Sequence, residues 1–420
     1  MSISLSKSKI AIVLLVISLF HFFAILRTSN VIYSADLVNV LVIFFTAFFV
    51  LFSNGHILTN KYINHGYIAW IFFTLILWGI QIIHSVIAYH KYGQTFVQVL
   101  SVAYAMLSVF AFFPFSYYQE KVDNIDFLKK VIEYASVIAA VLNIFQVFLY
   151  NYGITFLDLG TLGLANQRNG LRWGLGQYVV AISLMMSLFD AINLAEHRMQ
   201  NVLLSALYLF DVIYAVKTRS LELYLIITIY FIIFFCLKGF NARILLSIVG
   251  VAALLYLVYA NVIGSFYGEL AQDAGVNIRI NAIAFYLKQF IEHPILGMGY
   301  IKASTAGTHL LELLRGPLWF GTTRYYFRDD VGFIGLLNEN GIIGAIWYIW
   351  ALILLFKESR YLYKKDYKHY TWCIASLIFI TLCSVNLIYT TSGMFPILVM
   401  VMSLVHHYYI HENDMVAEWI

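Results

Sequence analysis

Three charged residues, Arg328, Asp329 and Asp330, stand directly before an apolar run that is long enough to cross a bilayer. A carboxylate at the mouth of a membrane helix can accept the proton of a hydroxyl group, so Asp330 is a candidate general base. Helical spacing puts Gly341 and Gly344 on the same face as Asp330, where they would let a neighbouring helix pack closely. A structural role is the alternative, because aspartate is a favoured residue at the start of a helix.

Arginines occur in two other loops and earlier in the same loop, and they could bind an anion near this aspartate. Arg168 and Arg172 lie among glycines in "NQRNGLRWGLGQ", and glycine lets backbone N–H groups approach an anion at the start of the next helix. Lys217 and Arg219 lie in the short loop "KTRS", where a basic pair at the lipid headgroups is the alternative. A later loop holds Arg279, Arg315, Arg324 and Arg328. Because guanidinium groups bind phosphate or carboxylate through two parallel hydrogen bonds, these residues predict an anion-binding surface.

The elements that must position these residues are membrane helices. Hydrophobic residues make up 62% of the chain and charged residues only 11%, whereas soluble domains carry about a quarter charged residues. A bilayer core needs roughly 20 apolar residues per helix, and about twelve such runs are present. We therefore predict an all-α polytopic membrane protein, with one membrane domain over residues 1–420. The predicted spans lie near 10–26, 33–53, 66–89, 95–117, 131–150, 173–194, 201–216, 220–237, 244–261, 332–356, 370–387 and 395–411.

Basic residues predict how the spans are oriented. With both termini in the cytoplasm, about 11 Lys and 3 Arg fall inside, against about 4 Lys and 8 Arg outside. Lysine follows the positive-inside rule, whereas arginine reverses it. We interpret the outer face as an anion-binding surface, although single arginines that snorkel or pair with nearby acids are the alternative.

The predicted outer loop over residues 262–330 is long for a compact connection, which is typical of functional loops. Its first part predicts an amphipathic helix from Asn277 to Ile291, and Pro294 ends that helix. Gly297 and Gly299 then permit a tight turn or the close approach of a ligand. The apolar stripe of the helix consists of Ile280, Ile283, Leu287 and Ile291. The residues that fall off this stripe and are expected to face polar surroundings are Arg279, Tyr286 and Gln289.

Other titratable residues have narrower interpretations. Asp211 and Glu339 fall inside predicted spans, where an acid is costly, so we interpret both as buried pairing groups. His309 lies in the long loop and is the second candidate base, because histidine titrates near neutrality. The three cysteines all fall inside spans, so we expect neither a disulfide set nor a metal cluster. The net charge of +4 comes from scattered basic residues, which argues against nucleic acid as a partner.

The order of these motifs resembles the bacterial O-antigen polymerase and O-antigen ligase superfamily, also called the Wzy-like proteins. The matching pieces, from about Asn166 to Gly344, are Arg168 and Arg172 in "NQRNGLRWG", Thr218-Arg219-Ser220, Arg279 followed by "HPILGMG", and "ENGIIG" from Glu339 to Gly344. The resemblance implies a GT-C-like helical fold in the bacterial cytoplasmic membrane. It also implies a glycosyltransferase that acts on undecaprenyl-diphosphate-linked oligosaccharides at the outer side of that membrane.

The resemblance further implies roles for single residues. Arg172, Arg219 and Arg279 would stabilise the negative charge of the diphosphate leaving group without a metal or any other cofactor. The other expected substrate-binding residues are Arg168, Arg324 and Arg328. Asp330 would take the proton of the acceptor hydroxyl, with His309 as the alternative base. Membrane lipids, a chain-length regulator and a flippase are the expected partners.

Two departures from the ligase pattern favour a polymerase that makes O-antigen, capsule or exopolysaccharide. Ligases of this superfamily carry a histidine where this chain has Asp330, and their usual T-x-S-R order is replaced here by "KTRS". A ligase, or another transferase of lipid-linked saccharides, is the alternative within the class. A flippase for lipid-linked saccharides is the alternative from another class, but we find no convincing internal repeat of the kind transporters show. A structural assembly subunit is a third possibility.

Overall fold

The computed structural model describes residues 7–19, 65–96, 98–99, 125–154, 163–164, 171–194, 197–237, 274–301, 328–385 and 394–417, with scattered positions within 41–48, 109–116, 239–250 and 313–326. Three residues of the predicted site, Arg168, His309 and Arg324, lie outside the described residues. So do large parts of the predicted spans near 33–53, 95–117 and 244–261.

All long elements of the described chain are helices. They are α1 (Lys7–Leu19), α2 (His65–Tyr92), α3 (Ile125–Tyr150), α4 (Gln177–Asn193), α5 (Arg198–Asp211), α6 (Arg219–Cys236), α7 (Ala274–Glu292), α8 (Phe333–Lys365), α9 (Tyr367–Cys383) and α10 (Met394–Ala417). A π-helical segment (Val212–Val216) continues α5, and a 3₁₀ turn (Arg328–Val331) precedes α8. Two short strands, β1 (Gly163–Leu164) and β2 (Arg172–Trp173), form an antiparallel pair with Gly163 opposite Trp173.

The length and hydropathy of its helices indicate that the chain is a membrane protein. Within the described residues, 5 helices are long and apolar enough to cross a membrane: Ile68–Tyr92, Asp126–Tyr150, Arg198–Val216, Arg219–Cys236 and Phe333–Lys365. Shorter apolar helices cover Lys9–Ser18, Gln177–Asn193 and Leu398–Ile410. The helical membrane fold that the sequence predicts is therefore present, while the full number of twelve spans stays a prediction.

Helices α8 and α9 form a hairpin that defines two ends of the molecule. At the turn between them, the Asp366 carboxylate accepts a hydrogen bond of 3.1 Å from the backbone N–H of His369 and so caps the start of α9. At the other end of the hairpin, the Phe333 N–H donates to the Ser384 carbonyl over 2.9 Å. We call the end with Asp366 the turn end, and the end with Phe333 and Ser384 the distal end.

Helices α6 and α4 lie along the same direction. The Tyr367 hydroxyl donates to the Phe235 carbonyl over 3.4 Å, so α6 ends at the turn end and begins, with Arg219, at the distal end. The Asn193 amide lies 3.4 Å from the Cys236 sulfur, so α4 also ends at the turn end. The loops before α4 and α6 therefore meet at the distal end.

Helix α2 packs along α8 through buried aromatic side chains. The Trp347 indole donates to the Phe73 carbonyl over 2.9 Å, and the two rings stack with centroids 4.5 Å apart. Nearer the turn end, the Trp70 indole donates to the Glu358 carboxylate over 3.0 Å, so both buried indoles are satisfied. Helix α2 thus runs antiparallel to α8, and its last residue, Tyr92, lies toward the distal end.

Candidate functional site

Helix α8 is broken at Gly341, where the backbone has φ 63° and ψ −161°. A break in a helix leaves N–H and C=O groups without their partners four residues away, which is costly inside a membrane. The segment that follows α7 lies against the break and supplies those partners. The hydrogen bonds run from Ile342 N–H to Pro294 C=O (2.8 Å), from Met298 N–H to Asn338 C=O (2.7 Å) and from Gly299 N–H to Glu339 C=O (2.9 Å).

Two glycines make this close backbone contact possible. Gly297 and Gly341 both have positive φ values, 68° and 63°. A Cβ atom on Gly297 would lie 2.6 Å from the Asn338 carbonyl oxygen, and one on Gly341 would lie 2.5 Å from the Ile295 carbonyl carbon. Neither position can therefore hold a larger residue without a backbone shift. The neighbour that packs at Gly341 is a turn rather than the helix that the sequence predicts.

A buried ion pair spans the distal end of α8. An Arg328 side-chain nitrogen, Nη2, lies 3.2 Å from Oε1 of Glu339, and the two side chains are 11% and 0% exposed. The prediction that Glu339 is a buried pairing carboxylate is confirmed. The other terminal nitrogen of Arg328, Nη1, is buried and has no hydrogen-bond partner within the described part of the chain. Among the described residues, Arg328 thus contacts Glu339 through one of its two terminal nitrogens.

Neutral polar side chains surround this pair. The Asn338 amide donates to the Gln289 side-chain oxygen over 2.9 Å, and the Tyr300 hydroxyl donates to the Asn340 side-chain oxygen over 2.8 Å. The His84 ring of α2 lies edge-on to Tyr300, with ring centroids 5.0 Å apart, and interacts electrostatically with Arg328. Three separate parts of the chain thus converge at the break, and their polar groups fix its geometry.

Helix α7 matches the predicted amphipathic helix and ends at Glu292, just before Pro294. Its apolar stripe faces away from the protein, since Ile280 and Ile291 are 58% and 74% exposed. Its other face is buried: the Tyr286 carbonyl accepts a hydrogen bond from Asn338 of α8, and the Tyr286 hydroxyl donates to the Leu314 carbonyl over 3.0 Å. The face that carries Tyr286 therefore meets polar groups, as the sequence predicts.

Arg219 and Arg279 lie at the distal end on helices α6 and α7. Arg219 is the exposed first residue of α6, and Arg279 is exposed on α7. Arg279 lies near enough to Tyr224, one turn further along α6, for the two side chains to interact electrostatically. Tyr224 interacts in the same way with Cys383 at the distal end of α9. The structure thus brings these two predicted site residues toward each other.

The loop before α6 joins the loop that carries Arg172. The Lys217 side chain donates to the Leu171 carbonyl over 3.4 Å, and the Thr218 hydroxyl donates to the Gln177 side chain over 3.4 Å. Leu171 is followed directly by Arg172 in β2, whose side-chain position is not described. The backbone of Arg172 therefore lies at the distal end, beside the loop that leads to Arg219.

Asp330 is exposed in the 3₁₀ turn before α8, also at the distal end. The N-cap position of α8 is held by Gly332, which offers no side-chain hydrogen bond to the helix. The alternative in which an aspartate of this turn occupies the N-cap of the span is therefore wrong. Asp330 is therefore an exposed carboxylate that lies two residues after Arg328 and is not the N-cap residue of α8.

A second buried acid, Asp211, ends α5 just before the π-helical segment. The Asn143 amide donates to Asp211 over 3.2 Å, while the Asn143 side-chain oxygen accepts the Leu175 N–H over 2.9 Å. Asp211 thus pairs with a neutral amide, and its second oxygen, Oδ1, has no partner within the described residues. The sequence prediction missed Asn143, whose only signal is an amide inside an apolar helix.

No family model matches the chain, and no curated protein matches it significantly. Among the described residues, no group of three or more His, Cys, Asp or Glu side chains could hold a metal ion. The described candidate site contains the Arg219, Arg279 and Arg328 guanidinium groups, the Asp330 carboxylate, and Glu339 on the broken helix.

Proposed function

We propose that this protein is a polysaccharide polymerase that joins undecaprenyl-diphosphate-linked oligosaccharide repeat units at the outer side of the bacterial cytoplasmic membrane. One observation carries the proposal: Arg172, Arg219, Arg279, Arg328 and Asp330 share the distal end of the molecule. Most of the described lysines lie at the turn end, as on α8 and α9. Cations that bind an anionic substrate and a carboxylate that accepts a proton are the groups this reaction requires.

In the proposed reaction, a hydroxyl oxygen of the acceptor repeat unit attacks the anomeric carbon of the donor chain. The bond from that carbon to the diphosphate oxygen breaks, and the undecaprenyl diphosphate leaves with the electron pair. Arg219 and Arg279, which are both exposed at the distal end, would hold the diphosphate as its charge grows. Asp330 would accept the hydroxyl proton, and His309 is the alternative base.

In this proposal the broken helix holds Arg328 in position for the substrate. Glu339 holds Arg328 at a fixed position, and the backbone of Glu339 is itself fixed by the bond from Gly299. A side chain held in this way needs no reorganisation when a substrate charge arrives. Arg328 would then use its remaining nitrogen, Nη1, toward the donor diphosphate.

The polysaccharide of the host tests this proposal. A strain that lacks the gene is complemented with wild type, Asp330→Asn or Lys288→Gln, and its lipid-linked and surface saccharides are separated on a gel. Lys288 is an exposed residue of the distal helix α7 and serves as the control. We expect long chains with wild type and Lys288→Gln, and single repeat units with Asp330→Asn at equal protein level. Long chains with Asp330→Asn would show that another residue is the base. Long chains in the strain without the gene would overturn the proposal that the protein is the polymerase.

One observation favours a second candidate, a flippase for lipid-linked saccharides. Interrupted helices with buried charges are typical of transporters, and α8 is interrupted at Gly341 beside the Arg328–Glu339 pair. The same strain separates the two functions. Loss of a flippase leaves lipid-linked units facing the cytoplasm, whereas loss of a polymerase leaves single units at the outer face.

A further inference from the structure

A basic groove lies on the outer surface of the α8–α9 hairpin at the turn end, far from the candidate site. Its volume is about 680 Å³, and it is open to the surroundings. Four cationic side chains line it, namely Lys357, Arg360, Lys364 and Lys365, together with the aromatic rings of Tyr363 and Tyr370. The groove is thus lined by positively charged side chains and by amphipathic tyrosine rings.

None of the described residues that line this groove is Asp or Glu, so its described lining carries a net positive charge. Glu358 points to the other side of α8, where it binds Trp70 and lies 2.9 Å from the His406 ring nitrogen. Asp366 caps α9 and binds the His369 side chain. Glu358 and Asp366 thus have other partners, and the four cations give the groove a positive charge that attracts anions.

An exposed apolar stripe on α8 leads into the groove. It consists of residues at helical spacing that are 44% to 61% exposed, namely Ile342, Ile346, Ile349, Ile353 and Phe356. From Ile346 to Phe356 the helix rises about 15 Å, which is the depth of one leaflet of a bilayer core. The stripe therefore has the length and the polarity of a surface along which acyl chains lie.

We propose that the groove binds an anionic phospholipid, with the headgroup phosphate between the cations of α8 and the acyl chains along the isoleucine stripe. Lysine and arginine attract the phosphate, and the rings of Tyr363 and Tyr370 suit the depth of the glycerol backbone. The proposal does not depend on the polymerase reaction, because all four cations of the groove lie at the turn end.

Two variants with matched charge changes test this site. The first is Lys357→Gln with Arg360→Gln and Lys364→Gln, which empties the groove of three cations. The control is Lys9→Gln with Lys130→Gln and Arg198→Gln, which removes two lysines and one arginine that do not line the groove. The full-length protein in detergent is titrated with phosphatidylglycerol or phosphatidylcholine, and bound lipid is counted by native mass spectrometry.

We expect wild type and the control to retain phosphatidylglycerol in preference to phosphatidylcholine. The groove variant should bind phosphatidylglycerol about tenfold more weakly, since each cation near a membrane surface strengthens the binding of anionic lipid. Equal losses in both variants would show that the total charge, not the groove, attracts the lipid. Equal retention of the two lipids by wild type would also overturn the proposal, even where the groove variant fails to accumulate.

Discussion

The distal end and the turn end both carry many basic residues, but the backbone beneath them differs. At the turn end, α8 is a regular helix, and the cations of its groove are exposed on that helix. At the distal end, the same helix is broken at Gly341, and Arg328 is held in the interior by Glu339. Charge alone therefore does not distinguish the two ends. The difference lies in the backbone, which at the distal end holds one cation, Arg328, in a fixed and largely buried position.

The two buried glutamates of α8 show the difference between the distal end and the turn end within one helix. Glu339 at the distal end faces a guanidinium group, which carries a permanent charge. Glu358 toward the turn end faces the Trp70 indole and the His406 ring, which are both able to be neutral. The distal carboxylate thus pairs with a permanent cation, while the other is part of a polar contact between helices.

Removal of the distal carboxylate should have the largest effect on stability. Glu339→Gln leaves the Arg328 charge buried without its counterion, which costs about 3–5 kcal/mol in buried pairs of this kind. Glu358→Gln keeps an acceptor for Trp70 and should cost about 1 kcal/mol. Melting temperatures of the purified variants in one detergent measure the difference.

The double variant Arg328→Gln with Glu339→Gln sharpens this prediction. It should recover a large part of the loss, because no unpaired charge remains. Equal melting temperatures for Glu339→Gln and Glu358→Gln would show that the ion pair does not stabilise the distal end.

Gly341→Ala should have the next largest effect. An alanine there must adopt a backbone conformation that is essentially restricted to glycine, and its Cβ would meet the Ile295 carbonyl, so we expect a loss of about 2–3 kcal/mol. Gly79→Ala in α2 is the control, because a Cβ at Gly79 meets no atom within 4 Å. Thermal melting compares the two, and a stable Gly341→Ala variant would contradict the broken helix.

The smallest effect is expected at the turn end, from Asp366→Ala. The variant removes the cap of α9 and should cost about 1 kcal/mol near neutral pH. Burial acts to raise the pKa of Asp366, but hydrogen bonds from His369 outweigh it and lower the pKa below its ordinary value. A lowered pKa in the folded state stabilises the fold above the ordinary value and loses this effect as pH falls further. The difference in melting temperature between wild type and Asp366→Ala should therefore shrink below about pH 4.

The sequence predicts local features of this molecule better than the contacts between distant segments. The spacing of isoleucines and the position of Pro294 predict α7 and its end, because both follow from local geometry. The cost of an acid in a membrane predicts that Glu339 is paired. By contrast, "GIIG" suggests a face for helix packing, and the break at Gly341 becomes visible only together with the segment that begins at Pro294.

The partners of buried polar groups are missed for the same reason. Asn143 and Asp211 are 68 residues apart, and Trp70 and Glu358 are 288 residues apart. No local pattern links such residues, since the contact exists only once the helices have packed. Sequence spacing can therefore indicate that a buried acid needs a partner without identifying it.

The central claim is tested most directly by replacing arginine with lysine at each end of the molecule, which conserves the charge. Arg219→Lys with Arg279→Lys changes the distal end, and Arg198→Lys with Arg360→Lys makes the same change at the turn end. Each variant is expressed in a strain that lacks the gene, and the length distributions of the surface polysaccharide are compared. The account predicts that the distal variant loses long chains, because lysine cannot grip a diphosphate with two parallel hydrogen bonds, while the turn-end variant makes them normally. Long chains from both variants, or the loss of long chains from both, would contradict it.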